Sequence, residues 1–479
     1  MAFICGWLLV VFSIALAFRI GTEDKADSTL MTLVQLAVAY GVCSGIAFLA
    51  SFLALRESWS TRLGYVLIGA MTIAGIGMAV NLGGYCTFPG TWEQPFFGEA
   101  FDFEREWNRI SFHQQTGGYL PGTNIGFTWI ASFMVGRLGP GISGLLIFNI
   151  MCMCGTVACT ARISSVLLEG SDRKRVSFYA ALVVASVASM IWYATVLMKE
   201  ASATFAFSLV AVSLAKLYKD RMDGTGYLSC IAGSVLLMWV KSPLAWLIII
   251  GIVVACVRRY LMNRKEAVKC ITSGIYMLLI VSAVIIGGKR FRFVSDQVII
   301  GAVESQREGL EDVMTFHSTV QRYSELIPGY FTAEPQQRLV YLPLCAAAQY
   351  FPPFPWNFTR DRDEGRFVWY AHLSIFWYLV GGAALGYLFV CFPKRKARSD
   401  LGGWLLWWIV CYVGLAYVSG GTVARYYLPL IPCLIPLSLR FVQSVRNGWV
   451  TVKATKIYCI TYAVLLCTGL AAAYLYLQC

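Results

Sequence analysis

Charge is what this sequence has least of. Only 14% of its 479 residues are Asp, Glu, Lys or Arg, and 58% are hydrophobic. A soluble chain carries roughly a quarter charged residues, so an ordinary soluble domain is excluded. Histidine is scarcer still, with three in the whole chain, which is too few for a His-rich metal centre. No Walker A, G-x-S-x-G or H-E-x-x-H motif occurs, so nucleotide hydrolysis is not indicated. No C-x-x-C pair flanked by His occurs either. The sixteen Cys sit mostly inside apolar stretches such as "MCMCGTVAC", where thiols act as small packing groups. There is no obvious internal repeat and no low-complexity tract.

What is present is apolar sequence. Mean hydropathy is +0.64, and runs near the ~20 residues needed to cross a bilayer recur throughout. The N-terminal run "AFICGWLLVVFSIALAF" lacks a basic start and a small-residue cleavage site, so it reads as a first helix. The net charge of +13 does not point to nucleic acid, because most basic residues fall in short loops between spans. Arg56 and Arg62; Arg173, Lys174 and Arg175; Lys216, Lys219 and Arg221; Arg258, Arg259, Arg264 and Lys265; Lys394, Arg395, Lys396 and Arg398; and Arg446, Lys453 and Lys456 each follow an apolar run. With all of these clusters in the cytoplasm, about thirteen spans result. They lie near 2–19, 30–54, 63–85, 141–168, 176–194, 200–217, 226–240, 243–257, 268–288, 367–392, 402–419, 425–443 and 457–477. The N-terminus is then cytoplasmic and the C-terminus outside.

The expected fold is therefore an all-α polytopic membrane protein with interfacial or re-entrant helices on its outer face. Residues 1–86 hold three transmembrane helices, and 87–140 form an acidic outer loop with a re-entrant segment at 119–137. A transmembrane bundle follows at 141–288, then a large outer loop at 289–366 and the C-terminal helices at 367–479. Segment 119–137 is read as re-entrant because a crossing there would put every later basic cluster on the wrong side.

Polar residues gather on one face of this threading. Lys199 and Glu200 sit between apolar runs in "VLMKEASATF", at the tight outer turn before span 200–217. A charge at a bilayer centre costs roughly 2.5–3.5 kcal/mol on insertion scales, so this pair belongs at the interface or is buried with a partner. The two neutralise each other or serve a ligand. Lys241 in "WVKSP" and Arg425, followed by Tyr426, in "SGGTVARYYLP" are lone cations at other outer turns. Such cations suit a phosphate or pyrophosphate, and as plain anchors they would snorkel to headgroups. Arg425 precedes a helix interrupted by three prolines. In the first outer loop, a helix over 99–109 aligns Glu99, Asp102 and Glu106, whereas an extended strand aligns Asp102, Glu104 and Glu106. Either face can deprotonate a sugar hydroxyl or hold a hard divalent cation such as Mg or Mn. The long loop carries Arg307, His317 and Arg322 in an amphipathic segment, then an apolar portion at 339–351 too short to span comfortably.

The acidic first outer loop, "GGYLPGTNIGFTWIASFMVGRLGPGISGLLIFN", "VLMKEASATF", "WVKSPLAWLI", "PPFPW" and "ARYYLPLIP" together resemble the integral-membrane proteins of bacterial polysaccharide clusters. These are similar to the GT-C superfamily of glycosyltransferases. The resemblance implies a bacterial cytoplasmic-membrane enzyme that moves a sugar from a polyprenyl-phosphate-linked donor to a glycan or lipid acceptor. It implies Asp102 or Glu104 as base, and Arg425, Lys241 and Lys199 with Glu200 at the lipid phosphate. The alternative is an O-antigen polymerase or ligase, which needs no metal and for which Arg307, His317 and Arg322 matter more. A flippase or transporter is the third reading. Transporters place polar residues near the midplane and show repeats, whereas this chain concentrates them at one face.

Overall fold

A computed structural model describes residues 142–168, 173–185, 199–241, 244–262, 264–290, 335–350, 377–391, 395–419 and 428–478. The described residues form helices and short turns, with no strand among them. They belong to two compact units, Met1–Val298 and Ile299–Cys479, divided within the segment expected as the large outer loop.

The first unit contains α1 (Ile142–Leu167), α2 (Arg173–Ala185), α3 (Glu200–Tyr218), α4 (Gly224–Lys241), α5 (Ala245–Met262) and α6 (Arg264–Arg290). The last four match the expected spans 200–217, 226–240, 243–257 and 268–288. α5 at its C-terminal end and α6 at both ends reach further into the basic flanks than expected. Lys and Arg are good helix formers, so the backbone keeps its hydrogen bonds after the apolar run has ended.

α3 is the centre of this unit, and every one of its residues is buried. It packs against α1, α4 and α5. Its sequence, "EASATFAFSLVAVSLAKLY", explains why: Ala and Ser dominate and let neighbouring backbones approach closely. The Phe205 ring lies where a Cβ on Gly155 of α1 would be, at 2.3 Å. A Cβ on Gly233 of α4 would sit 2.8 Å from the Ala206 carbonyl oxygen and 2.6 Å from Val210. The hydroxyls of α3 find partners within the bundle, as a water-free setting requires. Thr204 Oγ1 donates to the Glu200 carbonyl at 2.7 Å, and Ser208 Oγ to that of Thr204 at 2.7 Å. Ser213 Oγ crosses to the Gly226 carbonyl of α4 at 2.6 Å.

The second unit contains α7 (Pro335–Tyr350), α8 (Trp377–Cys391), α9 (Arg395–Ser419), α10 (Ile431–Arg446) and α11 (Val452–Gln478), with α8 ending in a π-helical turn at Tyr387–Cys391. Aromatic N–H and O–H groups tie these helices together by bonding to backbone carbonyls. Trp377 Nε1 donates to the Tyr350 carbonyl at 2.8 Å, Trp404 Nε1 to Cys433 at 2.8 Å, and Tyr462 Oη to Tyr378 at 2.7 Å. Tyr458 Oη donates to the Gly382 carbonyl, and Tyr350 and Tyr462 share a hydroxyl contact at 2.8 Å.

The three prolines after Arg425 do not interrupt a helix as expected. Residues 428–430 form a single 3-10 turn, and α10 then runs through Pro436 to Arg446. Pro432 falls in the first turn of α10, where a missing N–H removes no helical bond. The helix ends at Gly448 with φ 68°, whose neighbours close a Schellman pair: Trp449 N–H to the Ser444 carbonyl at 2.9 Å and Gly448 N–H to that of Val445 at 3.1 Å.

Five stretches among the described residues are long and apolar enough to cross a membrane: Glu200–Tyr218, Ala245–Met262, Ala267–Gly287, Leu428–Arg446 and Val452–Ala472. This is the helix complement of a multi-pass membrane protein. Gly233→Val should lower the thermal midpoint of the purified protein in detergent, by an overpacking cost of about 1–3 kcal/mol. Gly414→Ala, where an added Cβ meets nothing within 4 Å, should leave the midpoint unchanged or raise it. Equal midpoints for the two variants would contradict the close α3–α4 approach.

Candidate functional site

Of the residues singled out from sequence, Lys199, Glu200 and Lys241 lie among the described residues. Asp102, Glu104, Arg307, His317, Arg322, Arg425 and Tyr426 lie outside them, as does segment 119–137. The three described candidates come together at one end of the α3–α4 hairpin.

Lys199 is the N-cap of α3, with φ −77° and ψ −7°, and it contributes through its backbone. Its carbonyl accepts the Ala203 N–H at 2.9 Å and the Ser202 hydroxyl at 2.9 Å. Glu200 occupies the first helical position and Lys241 the last residue of α4. Both are buried, at 3% and 5% exposure. The Lys241 ammonium lies 3.8 Å from Glu200 Oε1. The sequence offered Lys199 as the neutralising neighbour of Glu200, but the ion pair is with Lys241. The separation is beyond direct hydrogen-bond length, so this contact is Coulombic.

Helix geometry places the two charges correctly. A carboxylate at a helix N-terminus and an ammonium at a helix C-terminus each oppose the local end of the macrodipole. An antiparallel hairpin brings those two ends together. The pair therefore joins "VLMKEASATF" to "WVKSPLAWLI", two segments about forty residues apart in sequence.

The opposite end of the same bundle holds a second polar assembly, built in part from basic residues that in sequence serve as topology signals. Lys216 is 2% exposed, and its Nζ donates to Asp223 Oδ1 at 2.6 Å and to Thr225 Oγ1 at 2.5 Å. Asp223 is also the N-cap of α4, since its Oδ1 accepts the Gly226 N–H at 2.7 Å. Partial burial alone would raise the Asp223 carboxyl, but the hydrogen bonds from Lys216, Thr225 and Gly226 outweigh it and lower the pKa to about 2. Asp220, at φ 53° in the C′ position of α3, pairs with Arg259 of α5. The backbone there closes a Schellman motif, with Arg221 N–H on the Lys216 carbonyl at 2.8 Å and Asp220 N–H on that of Leu217 at 3.1 Å. The detectable signal was the acidic pair inside "KDRMDG", where Asp before an apolar run marks a cap.

In the second unit, α7 and α9 frame an apolar groove of about 380 Å³ lined by Leu339, Leu342, Ile409, Val413 and Tyr417. No group of three or more His, Cys, Asp or Glu capable of holding a metal occurs among the described residues.

Removing one member of a buried ion pair strands the other charge, which typically costs about 3–5 kcal/mol. Glu200→Gln and Lys241→Met should each lower the thermal midpoint in detergent strongly. The double variant should be less destabilised than the two single effects combined, because neither leaves a charge behind. Strictly additive losses would show that the two side chains do not interact.

No protein-family model matches the chain, and no curated protein matches it.

Proposed function

We propose that the protein is a membrane glycosyltransferase that moves a sugar from a polyprenyl-phosphate-linked donor to a glycan or lipid acceptor at the outer face of a bacterial cytoplasmic membrane. In this reading the chain crosses the bilayer about thirteen times. The observation that carries the reading is the buried Glu200–Lys241 pair. It joins two of the segments on which the resemblance to GT-C enzymes rests, and it keeps charge at a bundle end that the threading assigns to the outer face. Ionisable groups sunk in a membrane bundle are expensive, and they mark functional sites by default.

The reaction needs few parts. Asp102 or Glu104 takes the proton of the acceptor hydroxyl as its oxygen bonds to the anomeric carbon of the sugar. The bond from that carbon to the phosphate oxygen breaks, and its electron pair leaves on the polyprenyl phosphate. The incoming oxygen and the leaving phosphate lie on opposite faces of the anomeric carbon, so configuration inverts. Arg425, with its planar fork, and Lys241 stabilise the departing phosphate. Because the leaving group is already good, positioning and one base suffice. Asp102 and Glu104 are also the residues that would hold Mg or Mn where transfer uses one. The apolar groove between α7 and α9 has the lining that suits part of an isoprenoid tail.

Asp102→Asn keeps size and removes the basic oxygen, and loss of a general base typically costs about 10²–10⁴ in rate. Assayed with Glu104→Gln, Arg425→Ala and His317→Ala for label transfer from donor to acceptor, at least one carboxylate variant and Arg425→Ala should fall steeply. His317→Ala should stay near wild type. The reverse pattern, with silent carboxylates and a severe His317→Ala, would assign the chain to the polymerase or ligase class instead.

A further inference from the structure

We propose that the turn joining α5 to α6 is a docking surface for acidic phospholipid headgroups. Cations and acids are unevenly matched at this end of the bundle. Residues 216–225 and 258–269 together carry eight Lys or Arg and three Asp or Glu. Two of the three acids are engaged inside the protein, Asp223 by Lys216 and Asp220 by Arg259. Arg264 and Lys269 are both exposed on this surface.

Apolar exposure distinguishes this surface from one built for a nucleic acid or a free anion. Leu261 is 77% exposed and Met262 54%, at the tip of the turn. Tyr260 is 44% exposed, and the Arg264 guanidinium stacks over its ring at 5.2 Å from the centroid. That stacking holds the cation beside the apolar tip. An acidic phospholipid offers both complements, a phosphate for Arg264 and Lys269 and an acyl region for Leu261, Met262 and the Tyr260 ring. The sequence threading puts this end in the cytoplasm, where the leaflet surface is negative and attracts clusters of basic residues next to membrane helices. The Asp220–Arg259 pair, which ties α3 to α5, fixes the base of the turn and keeps the surface in place.

The test uses the full chain, purified in a neutral detergent and titrated with phosphatidylglycerol or phosphatidylcholine. Bound lipid is counted by native mass spectrometry, and the thermal midpoint is followed in parallel. Phosphatidylglycerol should bind and raise the midpoint, while phosphatidylcholine should do so much less. Arg264→Gln with Lys269→Gln should weaken phosphatidylglycerol binding about tenfold or more without lowering the midpoint measured in phosphatidylcholine. Arg264→Lys with Lys269→Arg, which keeps both charges, should retain at least half of the stabilisation. Equal response to the two lipids, or an undiminished phosphatidylglycerol response in the Gln double variant, would overturn the proposal. So would preferential binding of an RNA oligonucleotide that competes the lipid away.

Discussion

The structure depends on burying one helix completely in a setting that offers it no water. Every residue of α3 is inside the protein, so each polar group it carries has to find its partner within the bundle. Three devices meet this demand. Hydroxyls bond back to the preceding turn or across to α4. The C-terminal carbonyls are closed by a Schellman turn. The charges at the two ends are paired with neighbours, Glu200 with Lys241 and Lys216 with Asp223. Remove these devices and the small residues that let α1 and α4 close on α3 would bring unsatisfied polar groups together.

The second unit solves the same problem with different chemistry. Its helices carry bulky aromatics, and the indole and phenol groups cross from one helix to a backbone carbonyl of the next. Glycines make room for them: Gly382 faces the Tyr462 ring, and Gly386 faces Phe441 and Tyr458. A large ring over a glycine gains dispersion contact and a directed hydrogen bond at once, and each ring so placed fixes the spacing between two helices.

Much of the helical framework among the described residues is legible in the sequence, because apolar run length is set directly by bilayer thickness. The four consecutive helices α3 to α6 and the packing role of the cysteines belong to that class, with Cys154, Cys159 and Cys433 buried as free thiols. Helix ends were less legible: α9 and α11 begin within basic flanks that hydropathy discounts but helix propensity does not. The Pro-rich start of α10 looks like a break in sequence, which does not say which prolines fall in a first turn. The partner of Glu200 was not legible at all. Nothing local prefers Lys241 over the adjacent Lys199, and only the antiparallel docking of α3 on α4 decides it. The same holds for Asp220 and Arg259, which join the ends of helices that are not consecutive.

For the proposed transfer from a lipid-linked sugar, the donor bond is the point of direct test. The purified protein in lipid nanodiscs, incubated with a panel of polyprenyl-phosphate-linked sugars and a bacterial envelope lipid extract, should break the sugar–phosphate bond of at least one donor. The sugar should pass to an acceptor with inverted anomeric configuration, releasing free polyprenyl phosphate. Every donor remaining intact in the presence of folded protein, or a donor translocated across the bilayer with its sugar–phosphate bond unbroken, would contradict the account.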